Sequence, residues 1–398
     1  MRILFVAMSA SLHAARWISQ LDGLGWDLHL FPSIDNGRTH PLLRSITVHH
    51  SVYTRLPDTH LTVRARGLRL PFGAHPKAAL AAGFGREILR NTWPQYRVRQ
   101  LRRVIRRTRP DVVHALEFQH AGYLVLAARD GYTGRFPPLI VSNYGSDIYL
   151  YGRLAAHQER LRALLQAADY YTCECARDIA LARDLGLRGA VLGVLPNGGG
   201  LDLARLETLR GAPPSQRRTI IIKGYQNVMG RALCAVAALR LCADALAGYR
   251  VAIFSAGEDV KVAAELAAQD LQVPIDILPP LSHNDLLRHF SAARVYIGLS
   301  ISDAASTSML EALALGALPI QSCTACADEW IADGETGLIV PPEDPHAVAA
   351  ALRRALTDDA LVDAAAVRNA QVCAERLDAA AIRAQTVALY ERVLKERI

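Results

Sequence analysis

Gly298-Leu299-Ser300-Ile301-Ser302-Asp303-Ala304-Ala305-Ser306-Thr307-Ser308-Met309-Leu310-Glu311-Ala312-Leu313-Ala314-Leu315-Gly316-Ala317-Leu318-Pro319-Ile320 reads as strand, loop, helix and strand in succession. The first strand ends near Ser300 and an acid, Asp303, sits in the loop. Ser306, Thr307 and Ser308 offer N-caps for a helix that runs to Leu315, where Gly316 stops it. A helix that starts beside a strand end binds anions through its first backbone N–H groups and its dipole. Asp303 and Glu311 lie eight positions apart, one in the loop and one about a turn into the helix, so both can face one ligand. Carboxylates there suit sugar and ribose hydroxyls. Without a ligand the same residues are a capping serine and a solvated glutamate.

The pattern repeats on both sides of this stretch. Upstream, Ile3–Ala7, Asp27–Phe31, Ile46–His50, Asp111–Ala115, Leu139–Asn143, Tyr170–Cys173 and Val191–Leu195 read as strands. Helical patterns such as Ala14–Leu21 and Arg153–Ala167 lie between them. Short apolar strands separated by helices imply a parallel sheet covered on both faces. Asn197-Gly198-Gly199-Gly200 and the polar run Gly211–Arg218 read as hinge and linker. Strands then restart at Thr219–Ile222, Arg250–Phe254, Ile275–Leu278, Val295–Leu299, Leu318–Gln321 and Leu338–Val340. The expected fold is α/β, with two doubly wound Rossmann-like domains facing each other across a cleft. Their expected bounds are 1–200 and 201–379, with a helix in 380–398 packing back on the first domain.

A chain of 398 residues, half of them hydrophobic and a fifth charged, suits two domains of a globular enzyme. No signal-peptide pattern and no run of about 18 apolar residues is present, so a cytoplasmic location is expected. The seven cysteines lack a second ligand pair at zinc spacing, and they read as reduced, mostly buried thiols. The first strand is followed by Met8-Ser9-Ala10-Ser11 and not by Gly-x-Gly-x-x-Gly, which argues against a nicotinamide-dependent dehydrogenase. The net charge of +7 divides unevenly: residues 1–200 carry +12 and residues 201–398 carry −5. Arg97, Arg99, Arg102, Arg103, Arg106, Arg107 and Arg109 cluster on one helical pattern, whose outer face suits an anionic membrane surface. No nucleic-acid partner is expected, since no binding module or interleaved aromatic pattern accompanies the charge.

The quoted stretch resembles the signature of the large retaining glycosyltransferase family 4, of the GT-B fold: an acid, seven residues, Glu, Ala-Met-Ala, Gly and x-Pro. Asp303 stands where that family usually has Glu, and Glu311-Ala312-Leu313-Ala314, Gly316 and Pro319 follow. Asp333–Pro345, Pro196-Asn197-Gly198, Pro110–His114 and Gly145-Ser146-Asp147 resemble further segments of the family in the same order. The resemblance implies retaining transfer of a sugar from a nucleotide diphosphate sugar to an acceptor hydroxyl, in polysaccharide, lipopolysaccharide or other glycoconjugate synthesis. It implies that Glu311 holds the donor ribose and Asp303 the donor sugar, with Ala304, Ala305, Ser306, Thr307 and Ser308 against sugar and diphosphate.

Two positions depart from the family. Tyr144 stands where a His often reaches the donor sugar; it can donate a hydrogen bond but is a poor base near neutral pH. The cations expected beside the diphosphate are shifted by a residue, to Lys223, followed by Gly224 on the donor side, and Arg231. Two such cations supply the charge that a metal would otherwise provide, so no cofactor and no catalytic metal are expected. His13, His114, Glu117 and Asp147 are candidates for the acceptor side, where a glycan or lipid-linked acceptor would bind. A sugar-nucleotide epimerase of the same fold and a catalytically silent nucleotide-sugar-binding scaffold remain as alternatives.

Overall fold

Successive residues of a strand point to opposite faces, so a strand apolar at every position must be covered on both sides. Thr219–Lys223 shows this directly: Ile220 and Ile222 pack into one core and Ile221 into the other. The computed structural model describes residues 1–53, 63–69, 93 and 95–396. It divides into two compact units, Met1–Gly199 with Arg383–Ile398, and Gly200–Ile382.

In the first unit the order is β1 (Arg2–Ala7), α1 (Leu12–Ser19), β2 (Asp27–Pro32), β3 (Ile46–Tyr53), β4 (Arg64–Arg69), α2 (Tyr96–Thr108) and β5 (Val112–Leu116). A single π-helical turn (Phe118–Gly122) follows, then α3 (Tyr123–Asp130), β6 (Leu139–Ser142), α4 (Ser146–Tyr149), α5 (Ala155–Ala167), β7 (Tyr170–Cys173), α6 (Arg177–Asp184) and β8 (Ala190–Val194). The described strands form one parallel sheet in the order β4-β3-β2-β1-β5-β6-β7-β8. Leu4, Val6, Val113 and Val141 meet Leu101, Val104 and Ile105 of α2 and Leu161, Leu164 and Leu165 of α5 in one core. Each such side chain contributes roughly 1.5–3 kcal/mol on burial. β4 escaped the sequence reading because Arg64, Arg66 and Arg69 break any apolar alternation.

The second unit contains α7 (Leu203–Leu209), β9 (Thr219–Lys223), α8 (Ala232–Leu241), β10 (Arg250–Phe254), α9 (Glu258–Leu271), β11 (Ile275–Ile277) and α10 (His283–Ala292). It continues through β12 (Ala293–Gly298), α11 (Thr307–Ala314), β13 (Leu318–Ser322), β14 (Leu338–Val340), α12 (Pro345–Thr357), α13 (Asp359–Arg376) and the start of α14 (Ala379–Lys395). Its six strands are parallel, in the order β11-β10-β9-β12-β13-β14.

The run Gly211–Arg218, expected as linker, is instead anchored inside the second unit. Arg217 is buried and donates to the carbonyls of Ala293 and Leu315, both at 3.0 Å. Arg294, fully buried, donates to the carbonyls of Ala355 (2.8 Å) and Ser215 (3.0 Å) and pairs with Asp359. Arg217 of the polar run and Arg294 at the start of β12 therefore close backbone carbonyls that apolar residues could not satisfy.

From Arg383 onward α14 belongs to the first unit. Arg383 donates to the carbonyls of Gln20 and Asp22, both at 2.8 Å, and Tyr390 Oη accepts from Trp17 Nε1 at 2.8 Å. Among the described residues no helix is long and apolar enough to cross a membrane.

Candidate active site

Numbered from β9, the strand order of the second sheet is 3-2-1-4-5-6, and the winding reverses between β9 and β12. Ligands in doubly wound sheets bind beyond the carboxyl ends of the strands at such a reversal. Ile222 pairs with Ile297 there, which brings Lys223 beside the segment that follows Gly298. Two glycines clear the floor. A Cβ on Gly224 would lie 2.8 Å from the Phe254 carbonyl oxygen and the Ala256 Cα. One on Gly298 would lie 2.5 Å from Gln321 Oε1 and 2.6 Å from Tyr296 Oη.

Lys223 Nζ stands 3.7 Å from Asp303 Oδ2 and 3.4 Å from Ser306 Oγ, with the Tyr225 ring centroid at 4.9 Å. Burial works against its charge. The Asp303 carboxylate, with Tyr296 and Tyr225 beside it, outweighs that and raises the pKa of the ammonium. The lysine is therefore a lasting positive charge at the reversal.

Ser306 occupies the N-cap position of α11, but its side chain caps nothing. Its hydroxyl lies with Lys223 and with Ser308 Oγ (3.2 Å), and Ser308 Oγ lies 2.9 Å from the buried Tyr296 Oη. The expectation that these serines cap the helix is thus corrected. They form a hydroxyl chain beneath Lys223, and the N-cap side chain accepts from none of the helix's first N–H groups. Ala304 and Ala305 are buried under the loop, Thr307 is half-buried, and Asp303 accepts from the Ala304 N–H at 2.9 Å. Glu311, only 3% exposed, stands on the same helix, and its Oε1 is 2.8 Å from His283 Nε2.

Arg231 is placed differently from expectation. Its Nε donates to Glu343 at 2.7 Å and its Nη1 to the carbonyls of Gly230 (2.9 Å) and Asn227 (3.2 Å). The guanidinium holds the loop between β9 and α8 together, and Lys223 is the cation that pairs with Asp303.

In the first sheet the winding reverses between β1 and β5. His13 is exposed on α1, its ring edge-on to Tyr144 at 6.4 Å. The Tyr144 hydroxyl is buried and makes no hydrogen bond among the described residues. Burial, with the carboxylates of Glu174, Asp147 and Glu117 nearby, pushes its pKa well above the usual value, so the hydroxyl stays protonated and cannot serve as a base.

The three remaining acceptor-side candidates are built into the scaffold. His114 is fully buried, with Nδ1 2.7 Å from Tyr390 Oη and Nε2 2.7 Å from Ser142 Oγ. Burial pushes its pKa down to about 3, and with both nitrogens bonded inside the core it offers nothing to a ligand. Glu117, at φ 78° and ψ 157°, folds its buried carboxylate over the π turn. That carboxylate accepts from the backbone N–H groups of His120 (3.0 Å) and Ala121 and from His120 Nδ1 (3.2 Å). Asp147 accepts from the N–H groups of Phe118 (3.0 Å) and Tyr144 (2.9 Å), tying the loops after β5 and β6 together. Burial and the neighbouring Glu117 push its pKa well up.

What the sequence reading missed here is His120. Its exposed ring is held by Glu117, whose hydrogen bond raises its pKa. The spacing Glu117-x-x-His120 was the available signal. Asn143, Asp178 and Asn197 form a second buried network: Asn143 Nδ2 donates to Asp178 at 2.5 Å, and Asn197 Nδ2 to the Asn143 carbonyl at 2.9 Å.

Two family descriptions match the chain: "Glycosyl transferase 4-like domain" over residues 10–198 and "Glycosyl transferases group 1" over residues 234–371. No curated protein matches it in sequence. Among solved structures, a sucrose-phosphate synthase from Thermosynechococcus elongatus is 18% identical with a TM-score of 0.70, each chain covered in full. The Anabaena protein HepE in complex with UDP and glucose is 15% identical, with a TM-score of 0.67 over 98% of this chain and 100% of that one. A trehalose-6-phosphate synthase studied for glycosyl transfer with retention is 14% identical, with a TM-score of 0.68 over 100% of this chain and 99% of that one. At such identities the likeness carries the fold, and the two family matches, which together span most of the sequence, carry the membership. The chain belongs to the glycosyltransferases of the family 4 type, with the GT-B fold.

Proposed function

We propose that this glycosyltransferase moves a sugar from a nucleoside diphosphate sugar to an acceptor hydroxyl of a glycan or lipid-linked glycan, retaining the anomeric configuration. The observation that carries the reading is the trio at the second sheet's reversal: Lys223, the α11 start without a side-chain cap, and Glu311 on the same helix. In this reading the diphosphate lies against the α11 N–H groups and Lys223, which stabilise the charge that grows on the leaving oxygen. Glu311 takes the ribose hydroxyls and Asp303 the sugar hydroxyls. The leaving phosphate accepts the acceptor's proton, so neither a strong enzymatic base nor a metal is required. The bound UDP of HepE makes UDP-sugars the first donors to test, and the trehalose-6-phosphate synthase is the precedent for retention.

The acceptor side is assigned to the first unit, with His13 and His120 as the exposed groups. An anionic membrane surface is the partner proposed for α2. Arg99, Arg102, Arg103, Arg106, Arg107 and Gly131 line a concavity of about 490 Å³ there. The half-exposed Trp93 stacks under Arg99 at 5.3 Å, an aromatic of the kind that sits at headgroup level.

The test is proton NMR of the sugar first formed from UDP-glucose. The α anomer, as in the donor, is expected. A β product would overturn retention, and no turnover of any UDP-, GDP-, ADP- or dTDP-sugar, with no thermal shift, would overturn the donor reading.

A further inference from the structure

A carboxylate recognises a diol well only when its plane is set before the ligand arrives, since otherwise rotamer freedom must be given up on binding. Glu311 has such a setting, and it comes from a different helix. α10 starts at His283, and Ser282 fixes that start: its Oγ accepts from the Asp285 N–H at 3.2 Å and donates to the Asp285 carboxylate at 2.6 Å. Leu287 and Phe290 bury the helix against the same core that takes Met309, Leu310 and Leu313 of α11. The two helices are thereby held side by side. The imidazole of His283, 42% exposed, reaches Glu311, 4% exposed at its side chain, with Nε2 2.8 Å from Oε1.

We propose that His283 is the positioning residue for donor-ribose recognition, its Nε2–H fixing the plane of the Glu311 carboxylate that receives the ribose hydroxyls. The inference rests on the assignment of Glu311 to the ribose. A carboxylate offers about four lone-pair positions, so one bond from an imidazole leaves acceptor capacity for a vicinal diol. The bond also selects the Nε2–H tautomer of His283. His283 needs no contact with the nucleotide, and its contribution reaches the ligand only through Glu311.

That dependence gives the experiment. Calorimetry with UDP and with 2′,3′-dideoxyuridine diphosphate, on the wild type, Glu311→Gln, His283→Ala and His283→Gln, separates the ribose contribution from the rest. The wild type should prefer UDP by roughly 10- to 150-fold, the range for hydrogen bonds to a charged group. His283→Ala should lose most of that preference while binding the dideoxy compound as the wild type does. His283→Gln, which returns an N–H at similar reach, should restore part of it. Equal weakening for both nucleotides in His283→Ala, or an unchanged preference, overturns the positioning role. If Glu311→Gln keeps the wild-type preference, the ribose assignment itself fails and this inference falls with it. If Glu311→Gln loses the preference and His283→Ala keeps it, only the inference about His283 fails.

Discussion

Lys223 and Asp303 form an ion pair, Nζ to Oδ2 3.7 Å, across the point where the second sheet reverses its winding. The lysine ends β9 and the acid lies in the loop that leaves β12, so the pair joins two neighbouring strand ends. The acid keeps the ammonium charged in spite of burial. A diphosphate placed there meets a cation already in position.

Lys223→Ala should therefore lower transfer roughly 10²–10³-fold, the usual cost of losing an electrostatic contact to a leaving group. Arg231→Ala should act less directly, by loosening the loop that its bonds to Glu343 and Gly230 hold. Initial rates of both variants at saturating donor are the measurement. An unchanged rate in Lys223→Ala removes the lysine from the site.

Acidification should weaken the first unit through His114. Its folded pKa, about 3, lies below the unfolded value of about 6.5, so the unfolded chain binds the extra proton. The stability this neutral imidazole contributes is complete above about pH 6.5 and is lost as the pH falls toward the folded value. By pH 5 the loss is about 2 kcal/mol. Urea titrations followed by tryptophan fluorescence at pH 7.5 and 5 should show this slope in the wild type and a flatter one in His114→Gln. Equal slopes would contradict it.

Membrane association predicts that the protein sediments with anionic vesicles and that salt releases it, because the attraction to α2 is screened. Equal binding to neutral vesicles, or binding to neither, would refute a charge-driven contact.

The fold was legible because both sheets are parallel and covered on two faces, which makes strands such as Tyr170–Cys173 and Arg250–Phe254 short apolar runs with clear ends. The Asp303–Glu311 spacing was legible because a strand, a loop and a helix start fix it locally. What stayed hidden depends on partners distant in sequence. His114 reads as a ligand-facing histidine until Tyr390, 276 positions later, closes its ring nitrogen. Glu117 and Asp147 read as acids for a substrate, yet their oxygens are taken by backbone N–H groups of two loops. Arg217 reads as part of a polar linker until the carbonyls it satisfies are known. Periodicity marks which face is buried, and says nothing about where a polar side chain on that face finds its bond.

The central claim is that the reversal in the second sheet holds a nucleoside diphosphate sugar, with Glu311 on the ribose and Asp303 on the sugar. Calorimetric titration of the wild type, Glu311→Gln and Asp303→Asn with UDP, beside transfer rates for each, tests it most directly. Glu311→Gln should weaken UDP roughly 10- to 150-fold, the equivalent of about 1.5–3 kcal/mol for a hydrogen bond to a charged group. Asp303→Asn should still bind UDP, because the diphosphate itself then takes the lost carboxylate's place beside Lys223, and should lose turnover, because the other partner of Asp303 is the sugar that free UDP lacks. The opposite pattern would reverse the two acids, and UDP affinity and turnover unchanged in both variants would contradict the site.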